Sequence, residues 1–219
     1  MPNVDLETRP GDDSGGPGVD DDRMTIGDDF TARRHAAREQ ALIEVTQTLA
    51  GAGTDLRALA DLVLERVASL VGDAVTVWTL PVGATDVQSA GSTHIDDQAK
   101  RMLADIQRNA GPQSADGITR AVIDTGEPLV IYDFAYEDYV ERIHHSYRPW
   151  MKQYGASSLA VLPMRARGRV LGAVGATRDR GRPQYTDFEI AFMQAIADIA
   201  AVAFDNAHLA AGGPSAGDR

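Results

Sequence analysis

Apolar positions recur along this chain with two periods, and the changes from one to the other mark out its elements. From about Thr31 to Ala50, Leu42, Val45 and Leu49 form a seam at helical spacing, while Arg33, Arg34, Arg38 and Glu39 fall on the wet side. Asp28 and Asp29 sit where a helix N-terminus favours negative charge, and Gly51 and Gly53 stop the helix. A second helix opens at the capping pair Thr54 and Asp55. It carries Leu56, Leu59, Val63, Val67 and Leu70 on one stripe and ends at Gly72.

Strand patterns follow. Ala74 to Leu80 is closed by Pro81 and Gly83, and Thr85 to Ala90 reads as its more polar hairpin partner. Helical spacing returns from Ile95 to Arg108, through Ile95, Ala99, Met102, Leu103 and Ile106. After the turn-rich stretch Asn109 to Gly117, a short helix is predicted over Ile118 to Thr125, with Gly126 as its left-handed stop. Pro128 leads into a strand at Leu129 to Ile131. Tyr132 to Tyr154 has no clean period and is crowded with aromatic side chains, so it reads as a loop with one or two short helices. Ser158 to Met164 and Val170 to Thr177 are two strands turning at Arg167 and Gly168. A last helix is predicted from Thr186 or Asp187 to Leu209. Two hairpins among helices imply an α+β fold. Its sheet is mainly antiparallel, with helices on one face and a loop-built cavity on the other.

Composition sets the boundaries and removes several chemistries. Residues 1–29 hold nine acidic side chains and two arginines, with few large apolar groups, so they read as a disordered acidic tail. Residues 30–210 read as the folded domain and 211–219 as a second disordered tail. The net charge of -11 argues against nucleic acid and anionic membrane surfaces as partners. No apolar run is long enough to cross a membrane, and the N-terminus has no secretory pattern. The chain has no cysteine, which excludes disulfides, thiolate metal sites and cysteine nucleophiles and fits the cytoplasm.

Three stretches then carry a family resemblance. Asp73-Ala-Val-Thr-Val-Trp-Thr-Leu80 follows an amphipathic helix. Gly117-Ile-Thr-Arg-Ala-Val-Ile-Asp-Thr-Gly-Glu-Pro128 precedes Leu-Val-Ile and Asp133. Ser158-Leu-Ala-Val-Leu-Pro-Met164 is followed by Gly168-Arg-Val-Leu-Gly172 and by Tyr185-Thr-Asp-Phe-Glu189, which opens the last helix. In this order they resemble the GAF family from about Ala41 to Leu209. The resemblance implies a PAS-related sheet of five or six strands, N- and C-terminal helices on one face, and a loop-covered pocket on the other. It also implies a regulatory domain that senses a small molecule, or one that only dimerises. Fold alone does not decide between these. The methionine sulfoxide reductases and bilin photoreceptors of the family use cysteine, which this chain lacks. Where the cyclic-nucleotide class carries an Asn-Lys pair, then Phe and an acid, this chain has Thr177-Arg178, Tyr185 and Glu189. Arg178 is expected to be a solvated arginine after a strand end, with phosphate contact as the other option.

The candidate ligand-binding residues are Trp78, Asp133, Tyr139, His144, His145, Tyr147, Trp150, Met151 and Ser157. With Tyr132, the aromatic members among them and Met151 can wall a cavity of roughly 300–1,000 Å³ or be plain core. Arg142, Arg148 and Lys152 would join Asp133 as its polar contributors or stand as a solvated rim. His144 and His145 lie where, by resemblance, some sensors place a haem ligand. At most one would ligate, and the plainer role is a surface or gate histidine. Haem is thus a possible cofactor, and no other metal is expected. Ser157 and Ser158 with His144 and Asp133 supply the residue types of a triad, but no G-x-S-x-G elbow is present, so no catalytic residue is assigned. His35, His94 and His208 read as structural or exposed. The small faces of Ala195, Ala197, Ala200, Ala201 and Ala203 predict a homodimer through the N- and C-terminal helices. A separate output protein would receive the signal.

Overall fold

The computed structural model describes residues 36–37, 39–70, 73–81, 83–110 and 117–212. The proposed acidic tail, residues 1–29 with Asp28 and Asp29, the start of the first helix and residues 213–219 lie outside these. The chain divides into two units, Met1–Glu39 and Gln40–Arg219. In the first, the described residues are helical and exposed. The second holds the sheet and everything discussed below.

Within it, residues 40–51 form helix α1 and Leu56–Leu70 form α2. The Asp55 carboxylate accepts from the Arg57 and Ala58 amides, as an N-cap should. Strands β1 (Ala74–Thr79) and β2 (Gln88–His94) follow, then α3 (Asp97–Ala110), α4 (Ile118–Thr125) and β3 (Leu129–Tyr132). Next come the single-turn α5 (Tyr136–Tyr139), two 3₁₀ turns and α6 (Arg148–Tyr154). Strands β4 (Ser158–Ala166) and β5 (Arg169–Arg178) and the long α7 (Asp187–Gly212) complete the order. The sheet order is β2-β1-β5-β4-β3, and every pairing is antiparallel.

The pleat sorts side chains to two cores. Val75 and Val77 of β1, Ala160, Leu162 and Met164 of β4, and Val174 and Ala176 of β5 share one core with α1, α2 and α7. Ala74, Val161 and Ala173 share the other with α3, α4 and the irregular segment. Terminal helices on one face and a covered opposite face are what the sequence implies. The expected number of strands, five or six, is met at five.

Several boundaries move. The sequence reading places the second strand at Thr85 to Ala90. Instead the strand runs to His94, and α3 starts two residues later than expected. Gly91 is there for packing: a Cβ at that position would lie 2.6 Å from Leu64 Cδ1 of α2. The β4–β5 turn falls at Arg167 and Gly168, both with positive φ, as a tight hairpin requires. At the start of α7, Thr186 and Glu189 form a reciprocal capping box. The helix continues through Gly212, past the predicted end at Leu209 and into the supposed tail.

Arg178 is not the solvated arginine expected. It is 8% exposed. Its Nη2 donates to Glu189 Oε1 at 2.8 Å, and its guanidinium lies 4.5 Å from the centre of the Tyr185 ring. Burial of Tyr185 pushes its phenol pKa up. The trio joins the end of β5 to the start of α7. The alanines of α7 also have a use within the chain: Ala197, Ala200 and Ala201 are fully buried in the helix-side core. Val202 and Leu209 are the large apolar side chains this helix leaves exposed.

Asp205 of α7 is 2% exposed and takes Arg169 Nη2 at 2.6 Å and Arg167 Nε at 3.2 Å. It therefore ties the β4–β5 hairpin to the helix. Asp205→Ala is expected to lower unfolding stability by about 1–3 kcal/mol, because the charge-assisted hydrogen bond from Arg169 and the ion pair with Arg167 are lost. A urea titration with an unchanged midpoint would contradict this.

Candidate functional site

The segment from Asp133 to Gly155 is held by short-range backbone bonds. Asp138 donates to Ala135, Ile143 to Tyr139, Tyr147 to His144 and Gly155 to Met151. Its long apolar side chains reach away from that local scaffold. Phe134, Trp150 and Met151 are buried in the second core. The segment thus lies over the sheet as a roof, with α3 packed beside α6.

Between roof and sheet lies a cavity of about 120 Å³. Small side chains make its floor: Ala74, Thr76, Gly175 and Thr177 line it from β1 and β5. Trp78 lines it too, with its ring over Gly175. A Cβ on Gly175 would stand 2.4 Å from Trp78 Cζ3, so only glycine leaves the indole its place. Ile118, Thr119 and Arg120 approach from α4, and Arg142, His144, Tyr147, Trp150 and Met151 from the roof.

Five of the nine candidate residues therefore meet at the cavity: Trp78, His144, Tyr147, Trp150 and Met151. The other four do not line it. Asp133 is exposed, with a φ of 50°, and accepts from Gln184. Tyr139 stacks on Phe134 at 5.0 Å. His145 is exposed, its ring 4.3 Å from that of His144. Ser157 donates its amide to the Arg178 carbonyl at 2.8 Å. Ser158 accepts from the Tyr185 amide, and no hydrogen bond joins either serine to His144 or Asp133 among the described residues. The cavity is also smaller than the range expected from sequence.

That volume decides the haem question. A 150 Å³ protein cavity holds benzene, and a porphyrin is several times larger. His145 does not face the space, and the Ser146 amide donates to His144 Nδ1 at 3.4 Å. The residues present do not fit haem.

Burial is the leading cause that lowers the His144 pKa, followed by the neighbouring charges of His145 and Arg148. The ring is neutral near pH 7. Its Nδ1 lies 2.5 Å from the Ser146 hydroxyl. Trp78 and Trp150 also line the cavity. Both indole nitrogens are buried and neither has a hydrogen-bond partner. An unmet buried donor costs about 1–3 kcal/mol, so these two are exceptions among buried polar groups that call for an explanation.

His94 was read as structural or exposed, and the structure shows how much it holds. It is buried at the end of β2, accepts the Asp96 amide at Nδ1 (2.8 Å) and faces Asp179 with Nε2 (3.2 Å). Its ring meets Trp150 edge-on at 5.9 Å and lies 5.9 Å from Tyr154. The available signal was its position just before the Asp96 cap of α3.

Residues 55–204 match the profile of the GAF domain. Among curated proteins, none matches the chain. Solved structures that share the fold include the following three. The GAF domain/HD domain protein of Geobacter sulfurreducens is 21% identical, with a TM-score of 0.57 over 74% of this chain and 98% of that one. The GAF domain of a phosphoenolpyruvate-protein phosphotransferase from Coxiella burnetii is 17% identical, with a TM-score of 0.60 over 80% and 95%. A free methionine-R-sulfoxide reductase from Neisseria meningitidis is 15% identical, with a TM-score of 0.56 over 81% and 93%.

Two predictions follow from this geometry. Gly175→Ala forces the Trp78 ring off the strand and is expected to cost about 1–3 kcal/mol by overpacking, with a changed near-ultraviolet circular dichroism spectrum. Unchanged stability and spectrum would contradict it. The second concerns pH. The folded state of His144 binds a proton less readily than the unfolded chain, so its contribution holds above the unfolded pKa of about 6.5. It is lost as pH falls through that value and levels off below the folded pKa. The urea midpoint of the wild type should therefore drop more than that of His144→Gln between roughly pH 7 and pH 5. Parallel curves would contradict this.

Proposed function

The chain belongs to the GAF domain family, regulatory and sensory domains found in signalling proteins, and we propose that it binds a small molecule and relays that event as a dimer to a separate output protein. The observation that carries this is the cavity between sheet and roof, lined by five residues singled out for their aromatic and polar character. Binding acts on signalling only if the ligand favours one arrangement over another. The roof is suited to that. Its backbone bonds are mostly internal, so it can change without breaking the sheet ladder.

Binding rather than catalysis is supported by the lining itself. It holds one histidine and no carboxylate, so no acid–base pair faces the space. The dimer is proposed through α1 and α7, where Ile43, Val202 and Leu209 are each about half exposed. No helix among the described residues is long and apolar enough to cross a membrane. The proposed location is the cytoplasm, supported by the absence of cysteine. A scaffold that only dimerises is the competing reading, favoured by the small size of the cavity.

Native mass spectrometry of the purified protein tests both halves together. The expected result is a dimer mass that carries, or takes up from a metabolite panel, a small ligand, with a matching rise in melting temperature. A dimer that takes up nothing would leave the scaffold alone, and a monomer would remove the relay.

A further inference from the structure

The floor of the cavity carries two hydroxyls that the protein itself does not use. Thr76 of β1 and Thr177 of β5 sit on the roof side of the sheet, and both line the cavity. Thr76 stands opposite Gly175 and Thr177 opposite Ala74, so the two threonines are diagonal neighbours across the β1–β5 ladder. Such neighbours lie within about 8 Å of each other, close enough for one small polar group to reach either. Neither hydroxyl makes a hydrogen bond among the described residues, and neither is sealed off as the indole nitrogens of Trp78 and Trp150 are. Thr76 keeps 7% of its surface exposed and Thr177 8%. Both strands are interior to the sheet, so on this face that surface opens to the cavity.

The walls around that floor are apolar, from Val87, Leu103, Ile118, Phe134 and Val161. No Asp or Glu lines the space, so a cation would find no counter-charge. Of the two lining arginines, Arg120 is held by Asp124 at 2.7 Å and by the Thr85 carbonyl, and Arg142 is exposed. An ion settling on the floor would exchange its water for two neutral hydroxyls, and stripping an ion costs far more than stripping a neutral polar group. A hydroxyl both donates and accepts, so the floor can meet either a carbonyl or another hydroxyl. At about 120 Å³ the space suits a body near the size of one six-membered ring.

We propose that the cavity takes an uncharged molecule about one six-membered ring in size, with one hydroxyl or carbonyl group that hydrogen-bonds to Thr76 and Thr177 while its ring lies against the apolar walls. This rests on the sensing function proposed above and adds the chemical class of what is sensed. A wholly apolar ring would leave both hydroxyls without a partner. A sugar would bring more polar groups than two hydroxyls can meet, and a carboxylate, phosphate or amine would strand its charge on a neutral floor.

Trp78 and Trp150 are the chain's two tryptophans and both line the cavity, so tryptophan-selective fluorescence reports on it directly. The experiment titrates the full chain with phenol, toluene, benzoate and benzylammonium near pH 7. Phenol is expected to change the emission saturably and to bind at least about tenfold more tightly than either ion. Thr76→Val and Thr177→Val remove a hydroxyl at little change in shape. Each should weaken phenol about fivefold, the scale of one hydrogen bond, and leave toluene no weaker. Thr76→Ser and Thr177→Ser should keep phenol binding. The valine variants should melt no lower than the wild type, because no hydrogen bond within the protein is lost. Benzoate or benzylammonium binding as tightly as phenol, or valine variants that bind phenol unchanged, would overturn the assignment while the sensing function stands. So would silence toward all four probes in a protein that still takes up a ligand from the metabolite panel. Silence toward the probes and the panel together would overturn both.

Discussion

From Leu171 to Arg178 every residue of β5 is buried, and this double burial governs the rest of the fold. A strand at the centre of a sheet needs cover on both faces. Helices α2 and α7 supply it on one side, where Val174 and Ala176 meet a continuous apolar layer. The other side faces α3, α4 and an irregular roof. Backbone that turns as often as residues 133–155 do cannot follow a sheet surface closely. The floor beneath it is built from Ala74, Thr76, Gly175 and Thr177, which are too short to fill the gap. The cavity is what remains when a non-repetitive segment covers small side chains.

The same strand ends in a cluster of buried polar ties. Asp73, 1% exposed, accepts the Asp179 amide at 2.9 Å and takes Arg182 at 3.1 Å. Asp179 in turn faces His94, whose ring touches Trp150 of the roof. Next to it, Arg178 reaches Glu189 at the first turn of α7. A line of contacts thus runs from the cavity wall through β5 to the helix proposed to dimerise. Contact is not coupling. It does put both ends of the proposed relay on one rigid strand terminus.

The fold was largely legible because its elements carry strong periodic and stop signals. The stripe from Leu56 to Leu70, the Gly126 stop and the Arg167-Gly168 turn each have one local meaning. The reading failed where residues answer to distant partners. Gly91 looks like a turn residue until Leu64 of α2 is placed against it. Arg178 looks solvated until Tyr185 and Glu189, seven and eleven positions on, fold back over it. At the site, the aromatic crowding of residues 132–154 pointed to Trp150, Tyr147 and Met151. Nothing local said that Asp133 and Tyr139 would turn away from the cavity, since side-chain direction in an irregular segment has no period to read. Nor could local pattern bring Trp78 and Trp150 to one space, seventy-two positions apart in sequence.

The account stands on a roof that opens separately from the sheet it covers. Peptide-resolved hydrogen exchange across a denaturant series measures this directly. Amides of residues 136–154 should exchange by local opening, with protection well below that of β4 and β5 and little dependence on denaturant. Roof and central strands exchanging together, only through global unfolding, would mean that the segment is fixed core and would contradict the account.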